Sequence, residues 1–167
     1  MGIVFLGLGS NVGNRLDNLK KVIKELEKSS RIKILKTSSV YETEPWEVEN
    51  QSWFLNMVLK VESKLPPLKL LDFLEETEKR LGRKSKSDNS PRTVDIDILF
   101  YNDWIFHTPQ LVVPHPLLHK RRFVLVPLAE IEPELEHPLL GRDIKTILEE
   151  LDDKAQVKFY KKAEELG

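Results

Sequence analysis

The sequence contains no cysteine. Disulfide stapling, thiolate nucleophiles and cysteine-held zinc or iron–sulfur clusters are thereby excluded. No apolar run approaches the roughly 20 residues that a membrane helix needs. The opening stretch from Gly2 to Leu8 is too short, and too soon followed by polar residues, for a signal peptide. Net charge is nearly lacking too: 26 Lys and Arg stand against 27 Asp and Glu, a formal charge of -1. No global field therefore draws the chain to nucleic acid or anionic lipid. What is present is a chain of 167 residues, 40% hydrophobic and 32% charged, which suits a globule with a substantial core. One domain over residues 1–167, monomeric and cytoplasmic, with no nucleic-acid or membrane partner, is the expectation.

Hydrophobic periodicity supplies the elements. Ile3 to Leu6 reads as a buried strand, and Gly7 to Gly13 as a flexible turn. A helix is expected from about Asn14 to Lys28, with Leu16, Leu19, Ile23 and Leu26 on one face and Asn14 as its cap. Arg31 to Tyr41 reads as one strand, and Thr43 to Asn50 as a loop carrying Trp46. In the strand from Trp53 to Val61, Trp53, Leu55, Met57, Leu59 and Val61 form one apolar face, while Phe54, Asn56, Val58 and Lys60 point the other way. Pro66 and Pro67 open a second helix that runs to about Leu81, with Gly82 after it. A polar, basic loop from Arg83 to Arg92 leads into a strand from Val94 to Tyr101. Beyond it lie a turn at Asn102-Asp103, short strands near Trp104 to Phe106 and Gln156 to Tyr160, and helices near Arg121 to Ala129 and Arg142 to Leu151. Pro127 argues against regularity in the first of these helices. The order β-α-β-β-α-β predicts an α+β, ferredoxin-like core: an antiparallel sheet with helices on one face, decorated by C-terminal additions.

Asp95 and Asp97 are the leading candidates for chemistry. Two apart on a strand, they point to one side while Ile96 and Ile98 point into the core. Mid-strand carboxylates are costly when merely buried and sensible when they hold a hard cation such as Mg²⁺, which often takes one or two carboxylates plus phosphate. The alternative is a solvated face. Arg92 stands just before this strand, and Arg83, Lys84 and Lys86 lie on the adjoining loop, where guanidinium groups suit phosphate. His115, His119, Arg121 and Arg122 form a second cluster, with His115 held between Pro114 and Pro116. The spacings of His107, His115 and His119 match no compact zinc pattern. His115 is either a phosphate donor or a packed loop residue. The glycines at 7, 9 and 13 fit neither a P-loop nor a dinucleotide fingerprint. Phe54 beside Asn56 offers an aromatic plate and an amide for a planar ring, or is ordinary packing. Glu78 offers one more carboxylate.

These segments together resemble the 6-hydroxymethyl-7,8-dihydropterin pyrophosphokinase family of folate synthesis. The resemblance rests on Gly9-Ser-Asn-Val-Gly13, Phe54-Leu-Asn56, Pro91-Arg-Thr-Val-Asp-Ile-Asp97, Val113-Pro-His115, Arg121 and Phe123. It implies a ferredoxin-like fold and transfer of the β,γ-pyrophosphoryl group of the co-substrate ATP to the pterin hydroxymethyl group, leaving AMP. It further implies two Mg²⁺ ions on Asp95 and Asp97, phosphate-gripping arginines at Arg83 and Arg92, and ATP contacts at His115 and Arg121. Phe54 and Phe123 are similar to the pair that sandwiches the pterin, with Thr43, Asn56 and Glu78 along its polar edge. The segments Thr43 to Asn50 and Arg83 to Ser90 match loops that close over substrates. The sequence departs from some relatives at Asn89, where they carry tryptophan, and at Phe54, where tyrosine occurs. Another phosphotransferase, a non-catalytic binding module and an RNA-binding sheet are the rival readings.

Overall fold

The computed structural model describes residues 1–45, 52–82 and 93–166. Strand β1 (Gly2–Ser10) is longer than its apolar run suggests, because the backbone stays extended through Gly7 and Gly9. The Asn14 side chain then accepts the N–H of Asp17 at 3.0 Å and caps α1 (Arg15–Lys28). Leu19, Val22 and Leu26 form the buried stripe of this helix, with Leu16 and Ile23 packed at its margin.

The single strand expected over Arg31 to Tyr41 is two strands, β2 (Ile32–Thr37) and β3 (Val40–Thr43). Ser38 and Ser39 make the break. The Ser38 hydroxyl accepts the N–H of Val58 at 2.8 Å, and Ser39 donates its N–H and hydroxyl to Glu130 at 2.9 and 2.7 Å. Side chains that bond backbone groups in this way compete with the strand ladder. β4 (Phe54–Ser63) is the long strand that both segments pair with, at opposite ends. Then come α2 (Pro67–Arg80), opened by Pro67 in its first turn, and β5 (Asp95–Tyr101). Gly82 takes φ +102° just after α2.

The later elements are short. β6 (Phe106–His107) pairs with β7 (Val112–Val113). Helix α3 (Arg122–Ile131) runs on through Pro127 because its apolar face is buried at Val124, Leu125 and Leu128. β8 (Glu136–His137) and β9 (Arg142–Asp143) form a small hairpin. Asp143 caps α4 (Ile144–Glu150), so the helix starts two residues later than the sequence suggests. β10 (Val157–Lys161) adds an edge strand against β3.

The main sheet is antiparallel, in the order β10-β3-β4-β1-β5, with β2 on the far half of β4. This is the expected α+β core. Val4, Leu6 and Leu8 of β1, Leu55 to Val61 of β4 in alternation, and Ile96 and Ile98 of β5 pack against α1 and α2. On the other face, Phe5, Val58 and Leu99 meet α3 and α4. Two carboxylates hold α3 to the sheet. Glu130 takes Ser39 and the Tyr41 hydroxyl, and Glu132 takes Lys36 and Lys60. Burial, and then the Glu130 bond, raise the Tyr41 phenol far above its ordinary range. Among the described residues no helix is long and apolar enough to cross a membrane.

His137 sets a pH limit on this second layer. It is buried edge-on to Phe100, and its Nδ1 accepts the N–H groups of Leu139 and Leu140, each at 3.2 Å. Burial, and secondarily the charge of His119, lower its pKa below the ordinary 6.5. Above pH 6.5 the imidazole is neutral whether folded or unfolded, so its contribution to stability is complete. As pH falls below that value the unfolded chain takes the proton first, and stability is lost down to the folded pKa. Urea unfolding between pH 8 and pH 5 should show this loss in the wild type. His137→Asn should be less stable at pH 8 but flatter below pH 6.5, by up to about 1.4 kcal/mol per pH unit. Parallel curves for the two proteins would remove His137 as the cause.

Candidate active site

The site is built on the face of the sheet that α1 and α2 do not cover. In β1, Gly7 and Gly9 lie across from Asp97 and Asp95 of β5 on one side, and from Val58 and Asn56 of β4 on the other. Residues directly opposed across a ladder share a face. Two glycines therefore make a bare floor between a pair of carboxylates and the Phe54–Asn56 edge. Glycine is poor in strands except where something approaches the backbone closely, and that is why the run 7–13 reads as a turn from sequence alone. The floor has no room to spare. A methyl group at Gly9 would lie 2.7 Å from Asn56 Oδ1 and 3.5 Å from Phe54 Cδ1.

The amide edge is held firmly. Asn56 is buried, and its Nδ2 donates to Thr43 Oγ1 at 2.5 Å, also buried. This bond turns Oδ1 toward Gly9. Thr43 and Phe54 are direct partners across the β3–β4 ladder, so both belong to the same face. Phe54 is half-buried.

A cleft opens over this floor, lined by Gly7, Gly9, Asn56, Asp97, His115, Arg121 and Phe123 together with Val58 and Leu99. It brings together residues from β1, β4, β5, the segment after β7 and the start of α3. The Arg121 guanidinium sits 5.6 Å from the centroid of the Phe123 ring. His115 is fixed at both ends: its N–H donates to Leu99 O at 2.9 Å, and its Nδ1 accepts the N–H of Leu117 at 3.3 Å. That acceptor role puts the ring proton on Nε2, which makes His115 a donor toward an anion.

Glu78 is buried on α2, and its Oε2 accepts the N–H of Ile96 at 2.7 Å. It therefore grips the backbone between the two aspartates. Helical phase carried that signal, since Glu78 follows the buried Leu74 by four positions. Arg83, Arg92, Lys84, Lys86, Asn89 and Trp46, with the loop segments 46–51 and 83–92, lie outside the described residues. The glycine floor is the part of the site that sequence reasoning did not find.

The donor set suits a hard divalent cation. Asp95 and Asp97 are both half-exposed on one face, with Cα atoms about 6–7 Å apart. Among the described residues, no group of three or more His, Cys, Asp and Glu side chains converges into a closed cage. Two carboxylates on one strand face are a donor set that could hold Mg²⁺, an ion that fills its remaining positions with water and phosphate oxygens.

Residues 5–133 match the family described as 7,8-dihydro-6-hydroxymethylpterin-pyrophosphokinase (HPPK). The chain is 47% identical over 145 residues to a 2-amino-4-hydroxy-6-hydroxymethyldihydropteridine pyrophosphokinase of Aquifex aeolicus, covering 87% of this chain and 89% of that protein. A Bacillus subtilis protein of the same name is 41% identical over 134 residues, 80% of each chain. In fold, the chain is similar to the wild-type HPPK-DHPS of Plasmodium falciparum, with a TM-score of 0.72 at 19% identity, covering 89% of this chain and 44% of that one.

Proposed function

The chain belongs to the 7,8-dihydro-6-hydroxymethylpterin-pyrophosphokinase family, and from that premise we propose that it transfers the β,γ-pyrophosphoryl group of ATP to 6-hydroxymethyl-7,8-dihydropterin. The observation that carries this reading is the glycine floor, which sets a carboxylate pair and a locked amide side by side on one face. The pterin ring lies at the Phe54 and Phe123 end, with Asn56 and Thr43 at its polar edge. The polyphosphate lies over Asp95 and Asp97, with His115 Nε2 and Arg121 as donors, and with Arg83 and Arg92 assigned by the family pattern.

Two Mg²⁺ ions on Asp95 and Asp97, when bound, supply charge neutralisation and alignment of the phosphates. The residues of the chain do the rest. Asn56 and the aromatic pair orient the ring so that its hydroxymethyl oxygen faces the β-phosphorus. That oxygen forms the new bond, the link from the β-phosphorus to the oxygen of the α-phosphate breaks, and AMP departs with the electron pair. Arg121 and His115 stabilise the charge that shifts onto the phosphates. The hydroxyl proton goes to solvent or to Asp97.

Incubation of the protein with ATP, Mg²⁺ and the hydroxymethyl pterin should yield AMP and the pterin diphosphate in equal amounts. Stoichiometric ADP, or ATP consumption that ignores the pterin, would overturn the proposal.

A further inference from the structure

A basic residue stands at the wrong end of a helix. Arg15 is the first residue of α1, where the helix dipole presents its positive end and disfavours a cation. Its position is explained by what it holds. A single nitrogen, Nη1, donates to Glu42 Oε2 at 2.9 Å and to the carbonyl oxygen of Trp53 at 2.9 Å. The guanidinium also lies 5.9 Å from the centroid of the Tyr160 ring on β10. The pair with Glu42 is partly buried, with side chains 24% and 31% exposed, so solvent does not fully screen it.

The two acceptors are placed with consequence. Glu42 directly precedes Thr43 on β3, and Trp53 directly precedes Phe54 on β4. Thr43 and Phe54 are ladder partners, and Thr43 holds Asn56. One guanidinium thus joins the strand that leaves the sheet after Thr43 to the strand that returns at Phe54, one residue away from each. β4 receives a second tie nearby, where Asn11 Nδ2 donates to Ser52 O at 3.2 Å.

We propose that Arg15 is a positioning residue for the ring-binding end of the cleft, setting the separation of β3 and β4 at the point where Thr43 and Phe54 emerge. The inference rests on the pterin reading of the site. Arg15 touches no substrate. It acts through Glu42 and the Trp53 carbonyl on the Thr43–Asn56 bond and on the Phe54 plate.

Steady-state kinetics of Arg15→Gln, Arg15→Lys and Glu42→Gln, with pterin and ATP varied separately, test it. Arg15→Gln should raise the pterin KM about tenfold, as for a small misplacement of a binding group, with kcat and the ATP KM within about twofold. Arg15→Lys, able to reach one acceptor as a point charge, should recover part of that loss. Should Arg15→Gln not fold, the milder Glu42→Gln must show the same selective rise. An unchanged pterin KM overturns the inference, and so does a fall in kcat with a similar rise in both KM values alongside a lower Tm. A readout without substrate separates this from the pterin reading itself. The Asn56 side-chain amide resonances should move in ¹⁵N NMR of Arg15→Gln, and their staying in place would sink the positioning role. A wild type that makes no pterin diphosphate but whose Asn56 signals respond to Arg15 would instead refute the proposed reaction alone.

Discussion

Asp97→Asn should abolish nearly all pyrophosphoryl transfer, lowering kcat by roughly 10³-fold or more while the protein remains folded. The side chain keeps its shape in this variant and loses only its charge, so the effect isolates electrostatics from packing. At 1.36 kcal/mol per tenfold, a thousandfold loss is about 4 kcal/mol of transition-state stabilisation. That is within reach of one carboxylate that would hold a cation against a polyphosphate. With MgATP the wild type should gain stability by ligand linkage, and the variant should gain much less. Thermal scans with and without MgATP, run beside the kinetics, check both halves. Near-wild-type kcat in Asp97→Asn would disprove the role given to the pair.

Gly9→Ala should also be costly, for a different reason. The added methyl group would meet Asn56 Oδ1 at 2.7 Å, closer than such atoms approach. Asn56 is buried and its amide is tied to Thr43, so it has little freedom to swing aside. Either the amide rotates and gives up that bond, which contributes about 1 kcal/mol, or the strands part. Both displace the ring. A misplacement near 1 Å at a positioning group costs roughly 10²-fold, and here it should appear in pterin kcat/KM. ATP binding, measured alone by calorimetry, should change less, because the atoms nearest the added methyl group belong to Asn56 and Phe54. Equal losses for the two substrates would point to general unfolding rather than to the floor. For Gly7→Ala the atoms nearest the added methyl group are Leu99 side-chain carbons, at 3.5 Å, so that variant adds bulk to the floor without the Asn56 clash.

What could be read without a structure followed the two periodicities. Alternation put Asp95 and Asp97 opposite Ile96 and Ile98, and Phe54 and Asn56 opposite Leu55 and Met57, and both divisions hold in the folded chain. Helical spacing and the Asn14 cap fixed α1 to within a residue. The break at Ser38 and Ser39 escaped because its cause is remote: their partners, Val58 and Glu130, are 20 and 91 positions away. Gly7 and Gly9 escaped because a strand that omits side chains at alternate positions looks locally like a turn. The burial of Glu78 was legible in helical phase, four positions after Leu74. Arg15 carried a quieter signal, a cation where the dipole disfavours one.

The alternation along β5 leaves no slack in its length. Aspartate, isoleucine, aspartate and isoleucine succeed one another at positions 95 to 98, with one pair facing the cleft and the other the core. Inserting or deleting a single residue before Leu99 would exchange the two sets, sending carboxylates into hydrocarbon and isoleucines to the cleft. No side-chain rearrangement repairs such a swap. Descendants of this sequence can therefore trade residues within the strand far more readily than they can change how many it contains.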